Sequence, residues 1–429
     1  MAKTYPDYAL KSGWNALLPA RPPHDSLRER LAADVVIIGA GYTGLACARR
    51  WHELDPNARI VIIDASEIGE GNPGRNSGFL LEIALAEDAD PSNTARMEAC
   101  NQLTRQAMQS IVHDLEASGQ SIDLQRVGTY RTAAGSSGLR SLRNYQAFLE
   151  TAGLPYRTLD RRQLQEELGT GFYQAGLYSP DCYLAQPAAL IRALAKCLPE
   201  AITVYENTPA VGIESSAQGW RISTPHGNID CQQLVLANNS FARNLGVARS
   251  RLAAVFTYAG ITDPLPQQLL ASLGSNQNWG VLPTHRLGST LRRTADGRLL
   301  VRSLHDYEQE GDANKIERLL RDRLTRRFPQ LQDVGFSHIW GGAVGFTYNG
   351  GMVWGEIEPG LFASCGCNGG GTVKGTLLGS LLAEQANGND VSSDSALFGS
   401  ASWMPPEPFR WTGFQMSSVW QSWRGRHEL

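Results

Sequence analysis

At 429 residues the chain is longer than one hydrophobic core usually serves, so two structural units are expected. Its 42% apolar and 19% charged residues describe a water-soluble globule, and a net charge of −3 excludes the basic footprint of a nucleic-acid binder. Seven cysteines, an odd number scattered along a large chain, point to reduced thiols rather than a disulfide framework.

The first 31 residues read as an extended N-terminal arm, because Pro19, Pro22 and Pro23 oppose helix. The arm lacks an apolar run long enough for a signal peptide or a membrane span, which points to the cytoplasm. Val35 to Ile38 then predicts a buried strand, and Gly39-Ala40-Gly41-Tyr42-Thr43-Gly44 a tight turn into a helix. A second strand, Ile60 to Ile63, runs out into Asp64 and Ala65. Each residue type has a reason. Gly39 allows the tight turn, Gly41 lets the backbone approach a pyrophosphate, and Gly44 lets the helix pack closely on the sheet. Unpaired amides at the helix start hold the anion. Asp64 lies 20 residues past Gly44, where a strand-end carboxylate meets a ribose 2′-hydroxyl. The unit is a dinucleotide cradle, and the acid disfavours a 2′-phosphate, leaving FAD or NAD.

Next comes Gly69 to Gly78, in which Gly74, Arg75, Asn76, Ser77 and Gly78 imply backbone close to a bound group. Arg75 offers fixed charge for phosphates or an electron-rich ring. Apolar spacing predicts helices over Arg96 to Leu115 and Leu139 to Thr151, with Asp160 capping a third. A helix across Ala188 to Leu198 precedes strands at Ala201 to Tyr205, Val211 to Glu214, Trp220 to Thr224 and Leu234 to Ala237. From Leu252 to Trp340 the pattern is strand-rich, with a hairpin at Asp296-Gly297 and a helix at Lys315 to Phe328. Phe362 to Cys365 is another strand. The turn after it, containing Gly369, Gly370, Gly371, Thr372, Val373 and Lys374, opens a helix whose amides suit the electron-rich edge of a flavin. Cys365-Gly-Cys367 has no second ligand pair at suitable spacing, so no metal is expected. The tail, Trp403 to Leu429, holds four tryptophans and two phenylalanines, and is expected to pack onto the cofactor unit. The less favoured alternative is an amphipathic helix that touches a membrane near Arg424 and Arg426.

Nucleotide-type elements at the start, middle and end predict a mixed α/β fold: a Rossmann-like FAD-binding domain with an inserted substrate domain on a mixed, largely antiparallel sheet. The expected cofactor unit comprises residues 32–85, 183–245 and 345–400, and the substrate unit 86–182 and 246–344, with a tail at 401–429.

On the GAGYTGL cradle with Asp64, the GRNSG loop, Ala185-Gln186-Pro187, Leu234 to Asn238, Thr294 to Leu299 and the GCNGGGTVKG turn, the sequence resembles the D-amino-acid oxidase-like FAD-dependent oxidoreductases. Within them it looks most like the γ-glutamylputrescine oxidoreductase-like group, which includes L-pipecolate oxidase. The resemblance implies FAD bound by the cradle, by Arg75 to Gly78, by the backbone near Val211 and by Gly371 to Lys374. Val344-Gly345-Phe346 stands where sarcosine oxidases tether flavin to a cysteine, so the FAD is expected to be non-covalent. The implied reaction removes hydride from the carbon beside an amine, and water hydrolyses the imine. L-pipecolate or a related cyclic amino acid fits, as does a polyamine-type substrate, with oxygen or a respiratory carrier as electron acceptor. A catalytically silent flavoprotein acting in assembly is the rival class. Strand alternation lets only one of Arg292 and Arg293 face the ligand, and the resemblance implies Arg293, which aligns with the family's pre-hairpin arginine, as the carboxylate anchor. Tyr258, Trp340, Phe346, Tyr348 and Trp354 are the expected aromatic lining, and Lys374 lies near flavin and substrate.

Overall fold

The computed structural model describes residues 3–83, 93–120 and 122–429. Two eight-stranded sheets organise them. In the first, Leu31–Ile38 lies between Ile60–Ile63 and Asn228–Leu236, all parallel, and Leu361–Cys365 continues the parallel set beyond Asn228–Leu236. The runs Val35 to Ile38 and Ile60 to Ile63 are apolar on both faces because both are covered, one by helices and the other by Leu27, Trp220, Ile222, Ala242 and Leu245. The registers Ile38 with Ile63, Ile38 with Leu236, and Leu236 with Ala363 bring the carboxyl ends of these strands level. Ligands of open α/β sheets bind at such ends.

The second sheet runs in the order His338–Phe346, Ala253–Ile261, Leu299–Tyr307, Thr290–Arg293, Trp279–Pro283, Thr129–Ala133, Ala175–Ser179, Arg157–Asp160. One pair is parallel, Trp279–Pro283 with Thr129–Ala133, and the others are antiparallel. The mixed, largely antiparallel character read from the sequence is therefore present. The hairpin turns at Asp296-Gly297, where Gly297 has φ of 81° and donates its amide to Thr294 O at 2.9 Å. Predicted helices fall at Thr94–Ala117, Ser136–Thr151, Arg161–Leu168, Pro187–Lys196 and Ala313–Arg327, and Asp160 closes a capping box with Gln163. Among the described residues no helix is long and apolar enough to cross a membrane.

Two helices fix the first sheet's binding edge, Tyr42–Leu54 and Val373–Ala386. They cross so closely that a Cβ on Gly379 would lie 2.2 Å from Thr43 O, and one on Gly375 2.9 Å from the Thr43 hydroxyl. Gly375 thus serves helix packing as well as the turn before it.

Two terminal segments depart from expectation. The arm is not simply extended: Ser12 caps a short helix, Gly13–Ala16, and Trp14 is buried. The tail forms a helix, Phe409–Arg424, with no buried residue. Phe414 rests on Tyr307 and His305, while Phe409, Trp411, Met416, Val419, Trp420 and Trp423 stay exposed. Apart from Phe414, the aromatic residues of the tail therefore do not pack inward as expected.

Candidate functional site

A cavity of about 760 Å³ opens at the carboxyl ends of the parallel strands. Gly39, Gly41, Tyr42, Thr43, Asp64 and Ala65 from the cradle line it. Gly39 has φ of 114°, and a Cβ there would lie 2.9 Å from Ala237 O. At Gly44 a Cβ would lie 1.9 Å from Gly39 O, so the helix meets the turn only because this residue has no side chain. Ala40 and Gly44 shape the turn without lining the cavity. The Asp64 carboxylate accepts from Ala40 N at 2.8 Å and from Ser66 N and Oγ at 2.9 and 3.1 Å. Burial holds its pKa above the ordinary value, opposed by these amides.

From the glycine loop, Arg75, Asn76 and Ser77 line the cavity, while Gly74 and Gly78 do not. Gly74 turns against Gly69 O, and Gly78 makes room for the Arg292 guanidinium. The role expected of Arg75 needs correction. Its guanidinium donates to Glu70 O at 2.6 Å and Gly341 O at 2.8 Å and meets the Glu70 carboxylate at 3.3 Å. Arg75 pins the loop that forms the wall, so its fork is shared with protein acceptors rather than offered wholly to a ligand.

The second turn is present as read. Gly369, Gly370, Gly371, Thr372, Val373 and Lys374 all line the cavity. Asn368, at φ of 50°, holds that turn by accepting from Thr347 N at 2.9 Å and donating to Gly366 O at 2.7 Å. Asn239 joins it to the neighbouring strand end, accepting from Gly366 N at 3.0 Å. Cys365 is buried, and burial pushes its thiol up to about 12, the state of an inert core side chain.

Four substrate assignments move. Arg293 is 5% exposed and outside the cavity lining, donating to Asn276 O at 2.9 Å and Leu273 O at 3.3 Å. Tyr258 is buried away from the cavity, donating to Asp306 and accepting from Gly311 N, both at 2.7 Å. Trp340, 1% exposed, supports the wall from behind by donating to Arg75 O at 2.9 Å. Tyr348 sits in a turn rather than a strand and is 79% exposed. Phe346 and Trp354 are likewise absent from the cavity wall. Val211 also lies outside: its amide pairs with Ser223 O at 2.8 Å, and Ala210 faces the cavity in its place. Of the proposed chemistry residues only Lys374 lines the cavity.

Sequence reasoning missed Arg302, which lines the cavity with Thr257 and Thr290 and donates through Nε to Thr257 Oγ1 at 3.2 Å. The signal was available, because Arg302 is the one charged residue between Leu299 and Leu304. Also missed were Arg96, Met97, Cys100 and Asn101 on the helix Thr94–Ala117, and Thr4, Tyr5, Pro6 and Tyr8 of the arm. Among the described residues the wall carries Arg75, Arg96, Arg302 and Lys374 against one carboxylate, Asp64. Of these cations Arg75 is already paired with Glu70.

Comparison with known proteins agrees with this geometry. The family model described as FAD dependent oxidoreductase matches residues 34–385. The chain is 27% identical over 392 residues to a probable oxidoreductase OrdL of Rhizobium meliloti, covering 89% of this chain and 90% of that one. It is 25% identical over 401 residues to a gamma-glutamylputrescine oxidoreductase of Escherichia coli, covering 90% of each. Its fold is similar to that of glycine oxidase from Geobacillus kaustophilus, with TM-score 0.73 at 20% identity over 88% of this chain and all of that one.

Proposed function

From the premise that the chain belongs to the family of FAD-dependent oxidoreductases, we propose that it oxidises the C–N bond of a small carboxylate-bearing amine, an amino acid such as a cyclic secondary one. The cavity fits the cofactor. Ser77 Oγ, Asn238 Oδ1 and Ser364 Oγ are buried on lining residues without a protein hydrogen-bond partner, and Gly39 and Gly41 line the cavity at the start of the helix. Bound there, FAD supplies two-electron hydride acceptance. The cradle and Asp64 would hold its adenosine half, and Gly369 to Lys374 its ring, without a covalent bond. Residues 32–85, 183–245 and 345–400 as cofactor unit and 86–182 and 246–344 as substrate unit accord with the two large sheets.

The observation that carries the reading is Arg302. Its guanidinium stands in the cavity wall on the second sheet, where a carboxylate can be gripped while the amine-bearing carbon is turned toward the flavin. Apolar lining from Phe79, Leu81 and Leu282 would exclude water from the reacting C–H bond. The second reading, oxidation of γ-glutamylputrescine or a polyamine, is favoured by the 25% identity to the Escherichia coli enzyme. A free polyamine, however, meets Arg96 and Lys374 beside Arg302.

Anaerobic bleaching of the flavin by a panel of amino acids and polyamines tests the proposal. Reduction by a carboxylate-bearing amine is expected, and no bleaching by any amine would leave the silent flavoprotein reading. Arg302→Met should raise KM for an amino-acid substrate about 10- to 100-fold with flavin retained, as loss of a charged hydrogen bond does. An unchanged KM removes Arg302 from the site.

A further inference from the structure

We infer that the N-terminal arm is a strap that retains the flavin, fastened at Thr4 and Tyr8. The inference rests on the cavity being the FAD site and needs no particular substrate. The arm precedes the family match, which begins at residue 34, yet Thr4, Tyr5, Pro6 and Tyr8 line the same cavity as Asp64 and Thr208.

Its fastenings are specific. The Thr4 hydroxyl donates to Ala210 O at 2.5 Å, at the strand end beside the expected ribose site. Lys3 O accepts from Asn244 Nδ2 at 2.6 Å. Tyr8 joins three segments. Its hydroxyl donates to Asn72 Oδ1 and accepts from Ala343 N at 3.3 Å, and Asn72 Nδ2 returns to Ala343 O, closing a ring of hydrogen bonds. Burial pushes the Tyr8 phenol up to about 12, which keeps it neutral and able to donate and accept together. The Arg75 guanidinium lies 3.7 Å from the centre of the Tyr8 ring. That cation–π contact is desolvated, the setting in which such contacts are strongest.

The arm then grips the glycine loop itself. Ser12 Oγ donates to Gly74 O at 2.6 Å, and Trp14 Nε1 to Asn76 O at 2.8 Å. Gln186 Nε2 donates to Trp14 O at 2.5 Å. The loop that forms one wall of the cavity is thus held between the arm on one side and the strand His338–Phe346, through Gly341 and Ala343, on the other. A ligand leaving past Arg75 and Asn72 must first part Tyr8 from them.

The test measures the rate of FAD release from the full-length, flavin-loaded protein after dilution, followed by recovery of free-flavin fluorescence. Tyr8→Ala should release FAD at least about tenfold faster, since it removes a desolvated cation–π contact and the hydroxyl's two hydrogen bonds. Tyr8→Phe, which keeps the ring over Arg75, and Thr4→Val should each give a smaller acceleration. Should Tyr8→Ala fail to fold, these two conservative variants carry the test. Leu324→Ala, on the buried face of the helix Ala313–Arg327, serves as a destabilised control and should release FAD at the parent rate. Parent-like release from all the arm variants overturns the strap. So does release from Leu324→Ala as fast as from Tyr8→Ala at matched melting temperature, because general loosening then explains the effect.

Discussion

Arg292 and Arg293 show what a single residue's environment adds to its type. Alternation along Thr290–Arg293 sends them to opposite faces, and the expectation was that one face meets a ligand. Both faces of the sheet are instead covered. Arg292 reaches Ala185 O and lies over Trp14, 5.2 Å from its ring centre, whereas Arg293 binds the carbonyls of residues 273 and 276. Burial lowers the pKa of both. Arg293→Met should therefore cost about 2–3 kcal/mol of stability by leaving buried carbonyls unpaired, with KM unchanged, read by urea unfolding beside steady-state assays. A raised KM at parent stability would return Arg293 to the substrate site. The cradle glycines were legible because their constraint is local: the clash of Gly44 with Gly39 O arises within a turn six residues long. The positions of Arg293 and Arg302 depend on which of two buried faces looks into the cavity, and no local spacing encodes that.

At the scale of elements, the long apolar strands and amphipathic helices were legible within a few residues, since burial on one or both faces imposes their period. The segments joining them were not. Tyr348 belongs to a turn fixed by Asn368, 20 residues later, and the tail helix keeps its aromatic face exposed although its composition suggested a core. The arm likewise draws order from distant partners. Glu206, at the end of Thr203–Tyr205, is fully buried, and burial alone would raise its pKa, yet the Arg21 guanidinium and the amides of Ile68 and His24 hold it below its ordinary value of 4.5. A depressed carboxylate contributes stability above pH 4.5 and loses it as pH falls through the lowered value. The parent melting temperature should accordingly drop more steeply below that pH than that of Glu206→Gln, which starts lower. Parallel profiles would show that the ion pair with Arg21 is not a stabilising tie.

Across the whole molecule, the sheets and cores are joined by contacts between residues hundreds of positions apart. Glu428 is 3% exposed, and its carboxylate accepts the amides of Ala134 at 2.9 Å and Gly135 at 2.7 Å, at the start of the helix Ser136–Thr151. Its carbonyl accepts from the buried Arg327. An acid at a helix start meets both the unpaired amides and the positive end of the dipole. Glu428→Ala should cost about 2–3 kcal/mol, seen as a lower urea midpoint at an unchanged slope. A parent-like midpoint would mean that the helix is capped adequately without it. Nothing near Glu428 in sequence announces this role.

The cavity wall draws on Thr4 at one extreme and Gly399 at the other. On a ribosome the arm emerges before its partners, Ala210 about half-way along the chain and Ala343 later still. Flavin loading at this cavity is in consequence an event that follows synthesis of the wall's last segment, at Gly399. Until then Tyr8 and Trp14 are sticky segments in need of shelter, so slowed elongation or scarce flavin should act on the yield of this protein through the same exposed N-terminal arm.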